Sequence, residues 1–404
     1  MRRIAILLAL LLAGLPAAAA AYQARHVVIV TIDGARYSET FGDTTFANVP
    51  CQAHQLAPLG SRAMAWNGGL TVTVPGVAAV LSGAYQALPN DGSERPHLPT
   101  LFEYYRAATG APATETWFFT DKGKLDVEAH SDHPDYGAAF GALDSVDCPS
   151  DPAVMAAAEA RLLADRPAVL AVHLAAPDLI AHSGDWGGYL RAIQVADSLV
   201  GALWTAIEAD TGLAGRTALF VTNDHGRHDD EHGGFQDHGD DCPGCRRIEM
   251  LALGPDFKPG FVSGLLCQSV DVVPTAGALL GVPTPLATGR VMDDLLLEPT
   301  GPPSLGVPPT PPPAILSFAP PAPNPARGGV SLQLRVPGPG WLTVEVLDLQ
   351  GRRVALLEQG MAGPGMRRLG WDGRSAGGLA APPGVYVVRA RMAGRRAQAR
   401  LVRR

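Results

Sequence analysis

The stretch HVVIVTIDGAR, residues 26–36, decides the fold of this protein. Its apolar, largely β-branched beginning is typical of a strand buried on both faces of a parallel sheet. The run ends at Asp33 and Gly34, so a carboxylate stands at the carboxyl end of the strand. Because ligands of open α/β sheets bind beyond the carboxyl ends of the strands, Asp33 is a candidate site residue.

Three more apolar runs repeat this pattern, at residues 168–174, at 217–222 and from Met250 onward. Between the first two lies an amphipathic segment, residues 188–210, whose apolar side chains recur at helical spacing. Strands that alternate with such helices predict an α/β domain, a mainly parallel sheet flanked by helices.

The composition divides the chain into four predicted parts. Residues 1–21 combine two arginines, an apolar run and small residues, which predicts a cleaved secretory signal peptide rather than a transmembrane anchor. Residues 22–298 form the α/β domain, and the proline-rich stretch 299–324 is an extended linker. Alternating segments between Gly and Pro turns in 325–404 predict a small β-sandwich. We therefore expect a protein that is secreted.

Charge is distributed unevenly along the chain. From residue 326 to the end, fourteen arginines oppose four acidic residues, whereas residues 4–325 carry 16 basic and 35 acidic residues. The acidic body argues against nucleic-acid binding and suits a protein that gathers carboxylates around cations.

The five cysteines are an odd number for an oxidising compartment, so at least one is unpaired or cross-linked to another chain. Cys242-Pro-Gly-Cys245 lies in a polar stretch and does not open a helix after a strand. This context favours a small structural loop disulfide over a redox motif.

Aspartates and histidines follow the predicted strands or lie shortly beyond them. These candidate metal ligands are Asp33, Asp178, His182, Asp224, His225 and His238. Six such side chains are enough for two divalent cations, and their N and O donors suit Zn²⁺. Paired cations stabilise both oxygens of an in-line displacement at phosphorus. Thr73, which precedes an apolar helical run, is the candidate nucleophile, with Thr71 as its rival and a plain helix cap as the simplest role.

At these residues the sequence resembles the alkaline phosphatase superfamily, specifically its nucleotide pyrophosphatase and phosphodiesterase branch. The resemblance covers about 25–297 and rests on five motifs in the family's order. They are VTIDGAR at 30–36, T-V-P-x(6)-S-G at 73–83, P-D-x(3)-H at 177–182, N-D-H-G at 223–226 and D-H-G at 237–239.

The resemblance implies a role for each site residue. Asp33, Asp224 and His225 would bind the metal that activates Thr73. Asp178, His182 and His238 would bind the second metal, and Asn90 would contact a phosphate oxygen.

The chain departs from the branch at two positions. Val74 stands where an aromatic residue is usual, and Gly76 replaces an asparagine, so the resemblance does not extend to a preference for a nucleotide base. The C/S-x-P-x-R motif of sulfatases is not present around Thr73, which argues against sulfate ester hydrolysis as the main function.

Other polar residues receive simpler interpretations. His228 to His232 match H-x-x-E-H, but this stretch is expected to be a solvated loop because it runs into two glycines. Lys122 and Lys124 are expected to be exposed loop residues. His173, like His130 and His133, is expected to be a surface or supporting residue.

The arginine-rich end resembles the FlgD-type immunoglobulin-like module and the C-terminal sorting domain of the type IX secretion system. The motifs are Asn324-Pro325, LDLQGRR at 347–353, WDGR at 371–374 and PGVYVVR at 383–389. The resemblance implies the type IX secretion machinery as a partner, with export through an outer membrane or display on its surface. It also implies no catalytic role, with Trp371 and Tyr386 as core aromatics.

Together these features predict a secreted, metal-dependent hydrolase of small phosphate mono- or diesters with a threonine nucleophile. Two alternatives remain open. One is a non-catalytic, metal-stabilised surface protein, and the other is a phosphomutase or transferase that uses the same site.

Overall fold

The computed structural model describes residues 21–146, 148–299, 316–318, 321–337, 340–363, 365–375, 377–392 and 395–404. The predicted signal peptide, apart from residue 21, and most of the predicted linker lie outside these ranges. Both therefore stay predictions.

Within the described part of 21–299, nine strands form one sheet in the order β4-β3-β5-β1-β6-β7-β2-β8, with β9 paired to β2. The strands are β1 His26–Ile32, β2 Ser61–Trp66, β3 Thr116–Phe119, β4 Leu143–Ser145, β5 Val169–Leu174, β6 Thr217–Thr222, β7 Arg247–Leu253, β8 Phe261–Val262 and β9 Cys267–Gln268. All paired strands run parallel except at β7, which is antiparallel to both of its neighbours. The predicted mainly parallel sheet is confirmed, and so are the strands at 26–32, 168–174 and 217–222.

Helices cover both faces of this sheet. They are α1 Thr73–Ser82, α2 Leu101–Thr109, α3 Asp151–Asp165, α4 Ala176–His182, α5 Trp186–Ala209, α6 Pro243–Arg246 and α7 Val272–Leu280. Apolar residues of α1, α2 and α7 join one core, and those of α3 and α5 join the other. The sheet is thus sealed from water on both sides, which leaves the strand ends as the accessible edge.

The predicted helix at 188–210 is α5. It is the one helix among the described residues with the length and hydropathy of a membrane span, and half of that span is buried in the fold. The buried residues include Ile193, Ala196 and Val200, which lie at the predicted spacing and pack against the sheet. Its apolar character is therefore explained by its position in the core.

The described residues from 316 onward form two antiparallel sheets, β10-β11-β14 and β13-β12-β15-β16. Their strands are β10 Ser317–Phe318, β11 Val330–Val336, β12 Gly340–Leu347, β13 Arg353–Ala362, β14 Gly365–Trp371, β15 Gly384–Met392 and β16 Arg395–Arg403. Trp371 and Tyr386 are buried with ring centroids 5.2 Å apart, so the prediction of core aromatics is confirmed. The Tyr386 hydroxyl donates to the carbonyl of Pro382.

Glu249 on β7 is a fully buried carboxyl group that should make stability depend on pH. Burial raises its pKa from 4.5 to about 8, although the nearby Thr40 hydroxyl acts in the opposite direction. The folded chain therefore binds more protons than the unfolded chain between these values, and stability should fall as pH rises through that window.

Replacing Glu249 with glutamine should remove this penalty. We expect Glu249→Gln to stabilise the fold at pH 8 by on the order of 3 kcal/mol and to change little near pH 5. Thermal unfolding midpoints at both pH values check this, with the exposed Glu208→Gln as control. Parallel pH profiles for Glu249→Gln and the wild type would contradict it.

Candidate metal centre

The predicted ligands come from the ends of three adjacent strands in the middle of the sheet, β5, β1 and β6. Asp33 directly follows β1, and Asp224 lies two residues beyond β6. Asp178 and His182 lie on α4, the short helix after β5, and His238 lies in the loop before β7. Parallel strands present their carboxyl ends at one edge, which brings these distant residues together.

Asp33, Asp224 and His225 form a buried group, called cluster A here. His225 Nε2 lies 3.3 Å from Asp33 Oδ1 and 3.4 Å from Asp224 Oδ2. These three atoms have no hydrogen-bond partner among the described residues, although all three residues are fully buried. Unpaired buried acceptors are costly, and a divalent cation would satisfy all three lone pairs at once.

The electrostatics of cluster A also favour a cation. Burial and the neighbouring Asp33 raise the pKa of Asp224 well above its ordinary value. Burial and Asp178 act in the same direction on Asp33, but the Lys122 ammonium and the nearby imidazoles of His173 and His225 outweigh them and lower its pKa. Two adjacent carboxylates do not both ionise in a dry site unless a positive charge joins them.

Asp178, His182 and His238 form cluster B. Asp178 Oδ1 lies 3.3 Å from Nε2 of each histidine, and the two Nε2 atoms are 3.2 Å apart. The His182 side chain is 43% exposed, whereas those of cluster A are fully buried, so cluster B is the side that opens to solvent. The structure therefore brings all six predicted ligands together. His225 lies within reach of Asp178 and His238 as well as of Asp33 and Asp224, so it connects the two clusters, and both donor sets fit a divalent cation.

The prediction that Lys122 is an exposed loop residue is wrong. Its Nζ lies 2.5 Å from Asp33 Oδ2 and 2.6 Å from Asp178 Oδ2, and its side chain is 10% exposed. Burial disfavours the charged ammonium, but the two carboxylates outweigh this effect and raise the pKa of Lys122. Lys122 thus joins cluster A to cluster B. It follows β3, a strand that the sequence analysis did not identify, so its strand-end position went unnoticed.

Two more buried residues support the ligands. His173 Nε2 lies 3.2 Å from Asp33 Oδ2, and both side chains are fully buried. Of the two expected roles, His173 therefore has the supporting one and is not a surface residue. Arg227, which the sequence analysis missed, is fully buried and donates to Asp178 Oδ1 and to the carbonyl of Gln236. Its guanidinium holds the Asp178 carboxylate and the 236–238 loop in fixed positions.

Thr73 is the first residue of α1, and the segment around it contacts one residue of each cluster. The carbonyl of Thr71 accepts a hydrogen bond from His238 Nδ1 at 2.9 Å, which ties this segment to cluster B. One turn into the helix, a Cβ at Gly76 would lie 2.7 Å from the carbonyl oxygen of Asp224 in cluster A. This close approach explains why glycine replaces the family's asparagine there.

The rival nucleophile is already engaged. Thr71 Oγ1 donates to the carbonyl of Asp240 at 2.7 Å. Because this hydroxyl is held by a backbone carbonyl, Thr73 is favoured as the nucleophile.

Asn90 lies beside the predicted nucleophile despite the short sequence distance between them. Its Oδ1 accepts from the backbone N–H of Val74 at 2.9 Å and from Lys124 Nζ at 3.1 Å. Lys124, which was also expected to be a free loop lysine, is held against this amide. The site thus brings two lysines and the free backbone N–H groups at the start of α1 close to the metal clusters.

The cysteine prediction needs correction. Cys242 and Cys245 are free thiols, and Cys242 caps α6, a single helical turn, rather than lying in an irregular loop. The Cys245 N–H donates to Cys242 Sγ at 3.4 Å.

Residues 144–241 match the Metalloenzyme superfamily. The chain is 37% identical over 97 residues to arylsulfatase K of Xenopus laevis, which is 24% of this chain and 18% of that protein. It is 38% identical over 155 residues to the 2,3-bisphosphoglycerate-independent phosphoglycerate mutase of Natronomonas pharaonis, which is 35% of this chain and 29% of that protein. The matches thus span less than a third of these curated relatives.

The fold is similar to that of murine ectonucleotide pyrophosphatase/phosphodiesterase 5. The TM-score is 0.51 at 15% identity, over 67% of this chain and all of that one. With the superfamily match, this establishes an alkaline-phosphatase-like fold, which implies divalent metal ions. None of these three relatives bears on the sorting-domain resemblance, which stays a prediction.

Proposed function

We propose that this protein is an exported, metal-dependent phosphoric ester hydrolase whose nucleophile is Thr73. The observation that carries the proposal is the convergence of clusters A and B, both of which contact the segment that begins α1. Export, and the role of residues 325–404 as a type IX sorting domain, are supported by sequence motifs alone.

Clusters A and B would each hold one divalent cation, and Zn²⁺ suits their mixed N and O donors. When bound, such cations favour the ionised hydroxyl and neutralise the charge that develops on the phosphoryl oxygens. The chain itself orients their ligands through His173 and Arg227, and burial of cluster A excludes water from one side of the site.

The residues around α1 would carry the phosphoryl transfer. Thr73 Oγ1 loses its proton to solvent and attacks phosphorus in line, the P–O bond to the alcohol breaks, and the alcohol leaves with a proton from solvent. The covalent phosphothreonine is then cleaved by water, which returns the threonine and releases inorganic phosphate. The helix N-terminus, Asn90 and Lys124 would bind the non-bridging oxygens throughout.

The lysines favour monoesters over diesters within this proposal. A phosphate monoester carries two negative charges at neutral pH, whereas a diester or a sulfate ester carries one. Lys122 is already paired with Asp33 and Asp178, but Lys124 adds a positive charge beside Asn90, and the extra negative charge of the monoester gains from it. A diester would also need room for a second organic group beside Asn90 and Lys124.

A rate comparison tests this preference. We expect the metal-loaded wild type to hydrolyse p-nitrophenyl phosphate with a higher kcat/KM than bis(p-nitrophenyl) phosphate. Lys124→Met should lower the monoester value about 10- to 100-fold and the diester value much less, because a charge-assisted hydrogen bond is lost. Lys258→Met, which changes the one other lysine of the chain, is the matched control.

Three outcomes would contradict parts of this proposal. A diester preference, or an equal loss on both esters in Lys124→Met, would overturn the monoester assignment alone. Failure of the metal-loaded wild type to hydrolyse either ester would favour the non-catalytic alternative instead.

A phosphomutase or transferase is the second candidate, because the phosphoglycerate mutase match covers 35% of this chain. The two activities differ in what accepts the phosphoryl group from Thr73. With glycerol added to the p-nitrophenyl phosphate assay, a hydrolase releases phosphate and p-nitrophenol in equal amounts. A transferase instead releases less phosphate than p-nitrophenol and forms glycerol phosphate.

A further inference from the structure

The loop between β6 and β7 carries a second group of metal-binding side chains that neither cluster uses. The ligand atoms of His228, Asp240 and Cys245 lie within 4.8 Å of one another, and so do those of Asp229, His232 and Cys242. The two sets meet at the C-P-G-C turn, because Cys242 and Cys245 belong to different sets and share a hydrogen bond.

The residue types and spacings are those of a zinc site. Cys242 and Cys245 are separated by two residues, and His228 and His232 by three. Pairs of cysteines and histidines at these spacings are typical of structural Zn²⁺ sites, in which thiolates and imidazoles displace carboxylates as ligands. Clusters A and B contain no sulfur, so the two kinds of site are chemically distinct.

The backbone arranges the two halves of this group in advance. A Cβ at Gly244 would lie 2.4 Å from the carbonyl oxygen of Arg227 and 2.6 Å from the amide nitrogen of Asp229. Only glycine at position 244 therefore lets the C-P-G-C turn pack directly against the backbone segment 227–229, which contains His228. The Gly226 N–H also donates to the carbonyl of Cys245 at 2.7 Å, which fixes the turn beside the metal centre.

His232 is oriented as metal-binding histidines usually are, with a carboxylate near the ring nitrogen that does not bind the metal. Asp229 Oδ1 lies 2.5 Å from His232 Nδ1, which leaves Nε2 of that ring for a ligand. His228 Nε2 is buried, has no hydrogen-bond partner among the described residues, and lies 3.4 Å from Asp240 Oδ2. Cys242 and Cys245 are both buried, so their sulfur atoms are shielded from solvent.

We propose that Cys242, Cys245, His228 and His232 bind one further Zn²⁺ ion, separate from clusters A and B. Four protein ligands leave no open coordination position, so this ion is structural. It clamps the loop that carries Arg227 and His238, and it thereby holds the second half of the metal centre in place. The C-P-G-C motif is thus a metal ligand pair instead of a disulfide.

Metal analysis and cobalt spectroscopy on the full-length protein test this proposal. We expect the wild type to bind one Zn²⁺ more per chain than Cys242→Ser or His232→Gln. Replacing zinc with Co²⁺ should give near-ultraviolet thiolate-to-cobalt absorption that both clusters, lacking sulfur, cannot produce. The absorption should disappear in Cys242→Ser and persist in Cys148→Ser, a cysteine outside the group.

Thiol reactivity provides a test that needs no variant and no activity. In the native wild-type protein, Cys242 and Cys245 should resist alkylation until a chelator is added, and become reactive afterwards. A Cys242–Cys245 disulfide found by mass spectrometry would overturn the proposal, and so would rapid alkylation without chelator or equal zinc content in wild type and Cys242→Ser. Because these readouts are independent of turnover, they stand or fall separately from the hydrolase assignment.

Discussion

Replacing Thr73 with alanine is expected to lower kcat for p-nitrophenyl phosphate by at least about a thousandfold, with bound metal unchanged. The threonine supplies the attacking oxygen, so its loss removes the covalent route and leaves only unassisted attack by water. Thr73 is fully buried at the start of α1, and loss of its small side chain should cost little stability.

Matched variants separate the nucleophile from its neighbours. Thr73→Ser keeps a hydroxyl at the same place and should retain a measurable fraction of the rate. Thr71→Ala loses only the hydrogen bond to the Asp240 carbonyl and should reduce the rate a few-fold at most. A reaction with substrate that is quenched with acid should leave phosphate on Thr73, which peptide fragmentation in a mass spectrometer locates. Phosphate on Thr71, or full turnover by Thr73→Ala, would refute the assignment.

The positions of the aspartates could be predicted because apolar runs and their order along the chain are visible in the sequence. Asp33 and Asp224 follow uninterrupted apolar runs, and such runs form the buried centre of a parallel sheet. Their strands pair directly, with Val30 opposite Val221, so the two carboxylates had to emerge side by side. The predicted ligands therefore converge although they lie up to 205 residues apart in sequence.

Lys122 was missed for the opposite reason. Its strand, β3, has only four residues, three of them aromatic, which is too short for a periodic signal. Nothing local shows that its loop returns to Asp33, 89 residues away. Lysines are usually exposed, and only the tertiary contacts of Lys122 show that it pairs with both Asp33 and Asp178.

The direction of β7 and the state of the cysteines were also beyond local patterns. An apolar run specifies burial but not strand direction. β7 lies between β6 and β2 and runs antiparallel to both. The C-x-x-C spacing is compatible with a disulfide, a redox pair or metal binding. Only the position of His228 and His232 beside the two thiols makes metal binding the preferred interpretation.

Replacing Asp224 with asparagine is expected to remove the cation of cluster A and to lower kcat by on the order of a thousandfold. The carboxylate supplies a negative charge that the neutral amide lacks. Because burial and Asp33 raise the pKa of Asp224, protons compete with the metal in the wild type. Metal occupancy and activity should therefore decline as pH falls, and Asp224→Asn should lose the part of this dependence that belongs to cluster A.

Stability of the metal-free protein distinguishes this effect from simple misfolding. Without a cation, Asp33 and Asp224 repel each other at 0% exposure, so Asp224→Asn should unfold at the same or a higher temperature than the metal-free wild type. With metal added, the order should reverse, since only the wild type gains binding energy at cluster A. The exposed Asp144→Asn should match the wild type in both conditions. An Asp224→Asn protein that unfolds earlier without metal would show that the carboxylate is needed for packing, and the metal assignment of cluster A would fail.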